Sequence, residues 1–430
     1  MRWVIQGGSK PPSAGEGPAI VVPGDKSISH RALMIAALAS GRSCIRNLAT
    51  GADVLSTASC LRCLGIAIES SECVHIVQGG ALAEPAGPLD AGNSGTTMRL
   101  LSGILAGQSF TAVLTGDASL RRRPMARIAE PLSEMGAGVT TDQGKPPITI
   151  RGGGLRAITF QPETPSAQVK SCVLLASLFA PGSTTVIEPV ATRDHTERML
   201  RAAGIELVAE GNAVTVRGGR LPNPVDIVIP GDFSSAAFFL AHGAMRGEVK
   251  VRGVGVNPTR TGFLSLLARM GAEVGTENQR EEGGEPVADV TIAAGVLGPV
   301  EVGPNESPLL IDELPLVALL GSVAEGQTVV TGAAELRVKE SDRISAVAEE
   351  LRKLGANVTE LPDGFVTTGV AGLKGAVCDS HGDHRIAMML AVAGSIAEGQ
   401  TIIQDVECVD ISFPEFQGTL QSMGVNIAVA

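Results

Sequence analysis

The chain has 430 residues and a net charge of −11 at pH 7; 44% of its residues are hydrophobic and only 3% aromatic. That length exceeds one ordinary core and makes two domains the default, while the acidic balance argues against nucleic acid or an anionic membrane as partner. Seven scattered Cys, an odd number, fit free thiols in a reducing cytosol. Met1 to Gly15 carry no apolar core of signal-peptide length, and no stretch approaches the ~20 apolar residues of a membrane span, so a cytoplasmic protein is expected.

In chain order, the first informative run is Pro23-Gly24-Asp25-Lys26-Ser27-Ile28-Ser29-His30-Arg31, followed by an all-apolar helical stretch to Ala39. A helix start carries partial positive charge, so a Lys and an Arg there are unfavourable unless an anion binds between them and the helix end. The arrangement recurs: Arg121-Arg122-Arg123 before Pro124, Arg193-Asp194-His195, Lys339-Glu340-Ser341-Asp342-Arg343, and Asp383-His384-Arg385. Taken singly, each is an ordinary solvated helix end. Five on one acidic chain imply a ligand with several negative charges. Cys60, Cys63, Cys73 and His75 loosely mimic a zinc set, but Cys60 and Cys63 fall inside a helical pattern and no second Cys-x-x-Cys exists; they are read as buried structural thiols, and no metal is expected.

Two phrases repeat six times each. One is a helix end, a Gly and a short strand, as at Gly41, Gly107, Gly182, Gly247, Gly326 and Gly399; the other is an amphipathic helix, a Gly and another strand, as at Gly65, Gly136, Gly204, Gly271, Gly355 and Gly424. A third strand often ends in Gly-Gly, as at Gly79-Gly80, Gly152-Gly153 and Gly218-Gly219. Each unit of roughly 70 residues then reads β-α-β-α-β-β. The first helix of each unit is apolar all round and must be enclosed by protein; the second is amphipathic, as in Arg343 to Leu354 with Glu349, Glu350, Arg352 and Lys353 outward. The fold class is α/β, with two similar domains of three units each and buried helices wrapped by sheets. The near-duplicates Pro23-Gly24-Asp25 and Pro230-Gly231-Asp232 place the boundaries: residues 23–230 form an inserted domain, and 1–22 with 231–430 a discontinuous one, with the anion site expected in the cleft between them.

The motifs Pro23 to Arg31, Gly92-Asn93-Ser94-Gly95-Thr96-Thr97-Met98-Arg99, Gly116 to Met125, Ser166-Ala167-Gln168-Val169-Lys170, Arg193 to Glu197, Arg337 to Arg343 and Asp383-His384-Arg385 together resemble the EPSP synthase family over essentially the whole chain. The resemblance implies an inside-out α/β barrel of the enolpyruvyl transferase type. It implies a monomer that joins shikimate 3-phosphate to phosphoenolpyruvate and releases phosphate, without cofactor, on the route to aromatic amino acids. Both substrates are anions, as the basic helix ends require.

Carried over by motif, Lys26 is expected to touch both substrates. Ser27, Arg31, Ser166, Gln168, Arg193 and Lys339 are expected around shikimate 3-phosphate, together with Asp312, the carboxylate that accepts the 5-hydroxyl proton. Asn93, Gly95, Arg123, Gln168, Arg343 and Arg385 are expected around phosphoenolpyruvate. Glu340 matches the group that handles the proton at the enol methylene. The chemistry needs a base for the attacking hydroxyl and an acid for the methylene, and guanidinium forks for phosphate and carboxylate. Read without the resemblance, Asp312 suits a helix cap before Leu314, Glu340–Arg343 a surface pair, and Ser27 and Ser166 caps.

Leu100, Ser166-Ala167 and the Asp410 to Pro414 stretch depart from one branch of the family and resemble the second, often herbicide-tolerant branch. Gly95 keeps the small residue associated with sensitivity to glyphosate, for which the family is the target. Two other readings exist. The sister transferase acting on UDP-N-acetylglucosamine has Asn after the early basic residue and a loop Cys, where this chain has Ser27 and no Cys between Asp117 and Arg123. A binding module of the same fold without turnover would not need Asp312 and Glu340 together.

Overall fold

The computed structural model describes residues 1–8, 17–71 and 73–430. Part of the expected 1–22 segment, residues 9–16, therefore lies outside the described residues. The described chain divides into two units: Met1–Pro23 with Gly231–Arg280 and Pro286–Ala430, and Gly24–Pro230 with Glu281–Glu285. The last five residues are the tip of a long hairpin, Glu273–Glu282 and Glu285–Ala293, so a piece of chain from the second half packs in the 24–230 unit.

Among the described residues there are six sheets, each of four strands. In every one an edge pair is parallel, for example Leu89–Asp90 beside Thr111–Thr115 and Val377–Asp379 beside Gln400–Gln404. The parallel step needs a crossover. In four sheets a buried helix supplies it directly; in the two holding Ala19–Val21 and Asp226–Val228 no single helix joins the pair. Each unit has three buried helices. In the 24–230 unit these helices are Lys26–Leu38, Gly95–Ala106 and Ala167–Ser177. In the other unit they are Phe233–Arg246, Leu314–Val323 and His384–Ile396. All six bury nearly every residue, and each unit has its own apolar cluster built on its three helices and the inner faces of its three sheets. With few aromatics, these cores are mostly Leu, Val, Ile, Ala and Met, and the sequence periodicity anticipates them.

The strands at the two chain crossings are exchanged. Ala19–Val21 precedes the Lys26–Leu38 helix yet pairs with Val249–Gly255, and Asp226–Val228 precedes the Phe233–Arg246 helix yet pairs with Gly41–Arg46. The N-terminal strand Arg2–Gln6 joins the last sheet, between Gln400–Gln404 and Asn426–Val429. The Gly-Gly strand ends have a packing reason. A Cβ on Gly79 would lie 2.1 Å from the Ala36 carbonyl oxygen, and one on Gly218 would lie 2.1 Å from those of Ser177 and Ala180. Only glycine lets the strand end rest on the last turn of the buried helix.

Two expectations fail locally. Glu350, expected outward, is fully buried: it accepts from the Asp379 backbone N–H at 3.0 Å and from Lys353 at 2.7 Å. Cys63 and Cys73, expected buried, are exposed, while Cys60 is buried; Cys63 ends an amphipathic helix on its outer face. Among the described residues, the side chains placed to share an ion are Glu349, Glu350 and His381. The Lys353 ammonium already lies 3.0 Å from Glu349 and 2.7 Å from Glu350, so a cation of the chain's own serves that cluster. No helix among the described residues is long and apolar enough to cross a membrane.

Candidate active site

In the 24–230 unit most candidate residues sit at or near the starts of the three buried helices, while Arg123 and Arg193 lie just before the helices Ala126–Glu134 and His195–Ala202. Asp25 caps the first, accepting from the Ile28 N–H at 2.9 Å. That leaves Lys26 and Ser27 in the first turn, half-buried, and Arg31 one turn on, where it is 3% exposed. Arg31 donates to the Thr196 hydroxyl at 2.7 Å, the Ser171 hydroxyl at 2.8 Å and the Ser27 carbonyl at 2.8 Å. Burial pulls the Arg31 pKa down to about 10, against the raising effect of Glu197 and Asp25; Arg193, close enough to act on it, lowers it further. Lys26 lies 3.2 Å from the Asp53 carboxylate, and the Asp53 carbonyl accepts from Thr97 at 3.3 Å. Thr97 belongs to the next helix start, which Ser94 caps at 3.1 Å.

That second helix start carries Asn93 and Gly95. Asn93 accepts from Arg123 at 3.2 Å and donates to Asp117 at 2.7 Å. Of the three adjacent arginines, Arg121 and Arg122 point outward and only Arg123 turns in, 9% exposed. A Cβ on Gly95 would stand 3.1 Å from the Arg99 Nη1 and 3.2 Å from the Arg123 Nη1, so the glycine is the space between two guanidinium tips. Gln168 accepts from Arg99 at 2.5 Å and donates to the Thr96 hydroxyl at 2.9 Å. Ser166 caps the third helix with a long 3.4 Å bond from the Val169 N–H. Arg193 is carried by a segment pinned on both sides. Buried Lys170 lies 2.7 Å from both Glu188 and Glu197, and His195 lies 2.8 Å from Glu285 of the hairpin tip.

In the other unit, Asp312, Glu340 and Arg343 meet directly. The Arg343 guanidinium, 1% exposed, contacts Glu340 at 2.6 Å, Asp312 at 3.5 Å and Asp383 at 2.7 Å and 3.2 Å. Burial alone would lower its pKa; the charges of Asp383, Glu340 and Asp312 reverse that and hold it above its ordinary value. Arg385 lies 3.6 Å from the Asp312 carboxylate and donates to the Asp312 carbonyl at 3.3 Å. Lys339 precedes the Arg343–Lys353 helix. Its pKa is lowered by burial, opposed by Asp312 and Glu335. Asp312 is no helix cap: the residue at the start of the Leu314–Val323 helix is Glu313, with no side-chain cap bond. The Glu340–Arg343 pair is no surface pair, since its arginine is buried.

A family model for EPSP synthase (3-phosphoshikimate 1-carboxyvinyltransferase) matches residues 14–420. The chain belongs to the EPSP synthase family. It is 50% identical over 413 residues to a 3-phosphoshikimate 1-carboxyvinyltransferase of Geobacillus kaustophilus, covering 94% of this chain and 97% of that one. It is 51% identical over 416 residues to one of Pelotomaculum thermopropionicum, covering 95% and 96%. A solved EPSP synthase from Acinetobacter baumannii superposes with a TM-score of 0.89 at 43% identity, covering 100% of this chain and 99% of that one.

Motif reading missed the partners that hold these residues: Asp53 on Lys26, Arg99 and Thr96 on Gln168, and Asp383 on Arg343. Thr96, Arg99 and Asp383 stood inside quoted motifs. Asp383 caps the His384–Ile396 helix, accepting from the Arg385 N–H at 2.9 Å. Its second task shows only when the Arg343 helix is packed against it.

Proposed function

We propose that this protein transfers the enolpyruvyl group of phosphoenolpyruvate to the 5-hydroxyl of shikimate 3-phosphate and releases phosphate. Membership of the family supports the reaction. The observation that carries the assignment of roles is that two carboxylates, Asp312 and Glu340, share one buried guanidinium, Arg343. An acid and a base are what the chemistry needs. Asp312 takes the proton of the 5-hydroxyl as its oxygen attacks C2 of the enol. Glu340 delivers a proton to the methylene carbon, making it a methyl group. In the second half Glu340 takes a proton back from that methyl group as the C–O bond to phosphate breaks, restoring the double bond. Lys26, Arg123, Arg343 and Arg385 meet charge on the departing phosphate and the carboxylate, with Asn93, Gly95 and Gln168 shaping the phosphoenolpyruvate pocket. Ser27, Arg31, Ser166, Gln168, Arg193 and Lys339 bind shikimate 3-phosphate.

The protein is further read as a monomer, as the family resemblance implies, and seven free cysteines support a reducing, cytoplasmic setting. Phosphate release measured with both substrates tests the reading. Release that requires shikimate 3-phosphate is expected. Release with UDP-N-acetylglucosamine in its place, or binding of both anions without turnover, would overturn it.

A further inference from the structure

Asp312 is gripped through its neighbour as well as through its own carboxylate. Glu313, the next residue, is 1% exposed and accepts a hydrogen bond from the Ser234 hydroxyl. Ser234 sits in the first turn of the buried Phe233–Arg246 helix, fixed by the Asp232 cap on the Ser235 N–H at 3.0 Å. Arg260, 3% exposed, donates to the Ser234 hydroxyl at 2.6 Å and lies 4.0 Å from Glu313 and 3.9 Å from Asp232. Arg260 is itself delivered by a tight turn: buried Asn257 accepts from the Thr259 N–H at 2.9 Å through its side chain and from the Arg260 N–H at 2.8 Å through its carbonyl.

This cluster is expensive for a core. An apolar set of the same volume holds a core at least as well as a buried ion pair, so what such a pair can add is a defined position. Glu313 does not cap its helix. Its carboxylate instead ties the start of that helix, and so the peptide that carries Asp312, to Ser234 and Arg260. We propose that Glu313, Ser234 and Arg260 are positioning residues that hold the Asp312 carboxylate in line with the hydroxyl it deprotonates; the inference rests on the assignment of Asp312 as that base. None of the three is assigned a contact with either substrate.

The test compares Glu313→Ala, Glu313→Gln, Ser234→Ala and Asp312→Asn in the full-length protein. A displacement near 1 Å at the reacting group costs about 100-fold in rate, so Glu313→Ala and Ser234→Ala should lower kcat by roughly 10- to 100-fold. KM for both substrates and the calorimetric affinity for shikimate 3-phosphate should stay near those of the unaltered enzyme. Glu313→Gln keeps an acceptor for the Ser234 hydroxyl and should recover most of kcat. A purely structural role would lower the melting temperature and leave kcat per folded molecule unchanged. That result, or equal kcat for the Ala and Gln variants, overturns the proposal while Asp312→Asn remains inactive. Turnover by Asp312→Asn would instead remove the base assignment itself, and the inference with it. If Glu313→Ala does not fold, Ser234→Ala decides.

Discussion

Arg31, one turn into a buried helix of one unit, and Arg343, the first residue of an amphipathic helix of the other, are both almost completely buried, yet their hydrogen-bond partners are opposite in kind. Arg343 is surrounded by three carboxylates within 3.5 Å. Arg31 gives its bonds to two hydroxyls and a carbonyl, which use three of a guanidinium's five donors. The chain thus gives the one cation carboxylate partners and the other neutral hydrogen-bond acceptors, with Glu197 and Asp25 acting on it through charge alone. A site that moves protons needs carboxylates held beside a fixed positive charge.

The sharpest way to break that comparison is to remove the carboxylates one at a time. Asp312→Asn and Glu340→Gln keep shape and lose proton exchange. Groups of this kind contribute about 100- to 10,000-fold, so kcat should fall by at least the lower figure, with the circular dichroism spectrum intact. Near-normal turnover in either variant would mean that the carboxylate serves only to balance Arg343.

The comparison also explains what could be read from sequence. Period and punctuation carry the architecture: apolar runs such as Leu314 to Ala324 can only be buried helices, and repeated Gly-strand phrases give six units. Basic residues at helix starts point to the proposed anion site, because a Lys or Arg there is unfavourable without a ligand. What could not be read is whatever depends on two distant segments meeting. Glu350 falls on the outward side of its helical pattern but is claimed by the Asp379 N–H. Asp53 is an ordinary first-turn acid until Lys26 arrives. The Glu281–Glu285 hairpin tip looks like a solvated acidic turn, yet Glu285 is fully buried against His195.

The third carboxylate, Asp383, should show its worth in stability. Burial alone would raise its pKa, but Arg343 more than offsets this and the net shift is downward. A carboxylate whose folded-state pKa lies below its unfolded value stabilises the fold fully above the unfolded value, about 4, and loses that contribution as pH falls through the folded value. Asp383→Asn leaves Arg343 short of a buried partner and should cost about 3 kcal/mol near neutral pH. The cost should shrink as pH falls below about 4, so denaturant titrations of the two proteins converge in acid. A pH-independent difference would show that packing, not charge, is what Asp383 provides.

On the other side of the comparison, Arg31→Lys keeps the charge but cannot reach Thr196, Ser171 and the Ser27 carbonyl together. Loss of a charge-assisted bond to the ligand is worth about 1.5–3 kcal/mol, and calorimetry should show that weakening for shikimate 3-phosphate. Phosphoenolpyruvate should be affected far less. Equal weakening of both would merge the two anion sites that the motifs separate.

The smallest effect separates a cap from a ligand contact at Ser166. Its bond to the Val169 N–H is long, 3.4 Å, so Ser166→Ala should cost no more than the usual ~1 kcal/mol for a lost cap, and Ser166→Gly only a few tenths. Both variants remove the hydroxyl. If Ser166 binds shikimate 3-phosphate, the two should lose the same affinity for it although their melting temperatures differ. If it only starts the Ala167–Ser177 helix, affinity should be unchanged in the Gly variant and reduced, if at all, in step with stability in the Ala variant. Thermal unfolding paired with calorimetry on both proteins decides the matter. The second pattern would leave Arg31, Arg193 and Gln168 to hold the phosphate in this unit without a hydroxyl from the third helix.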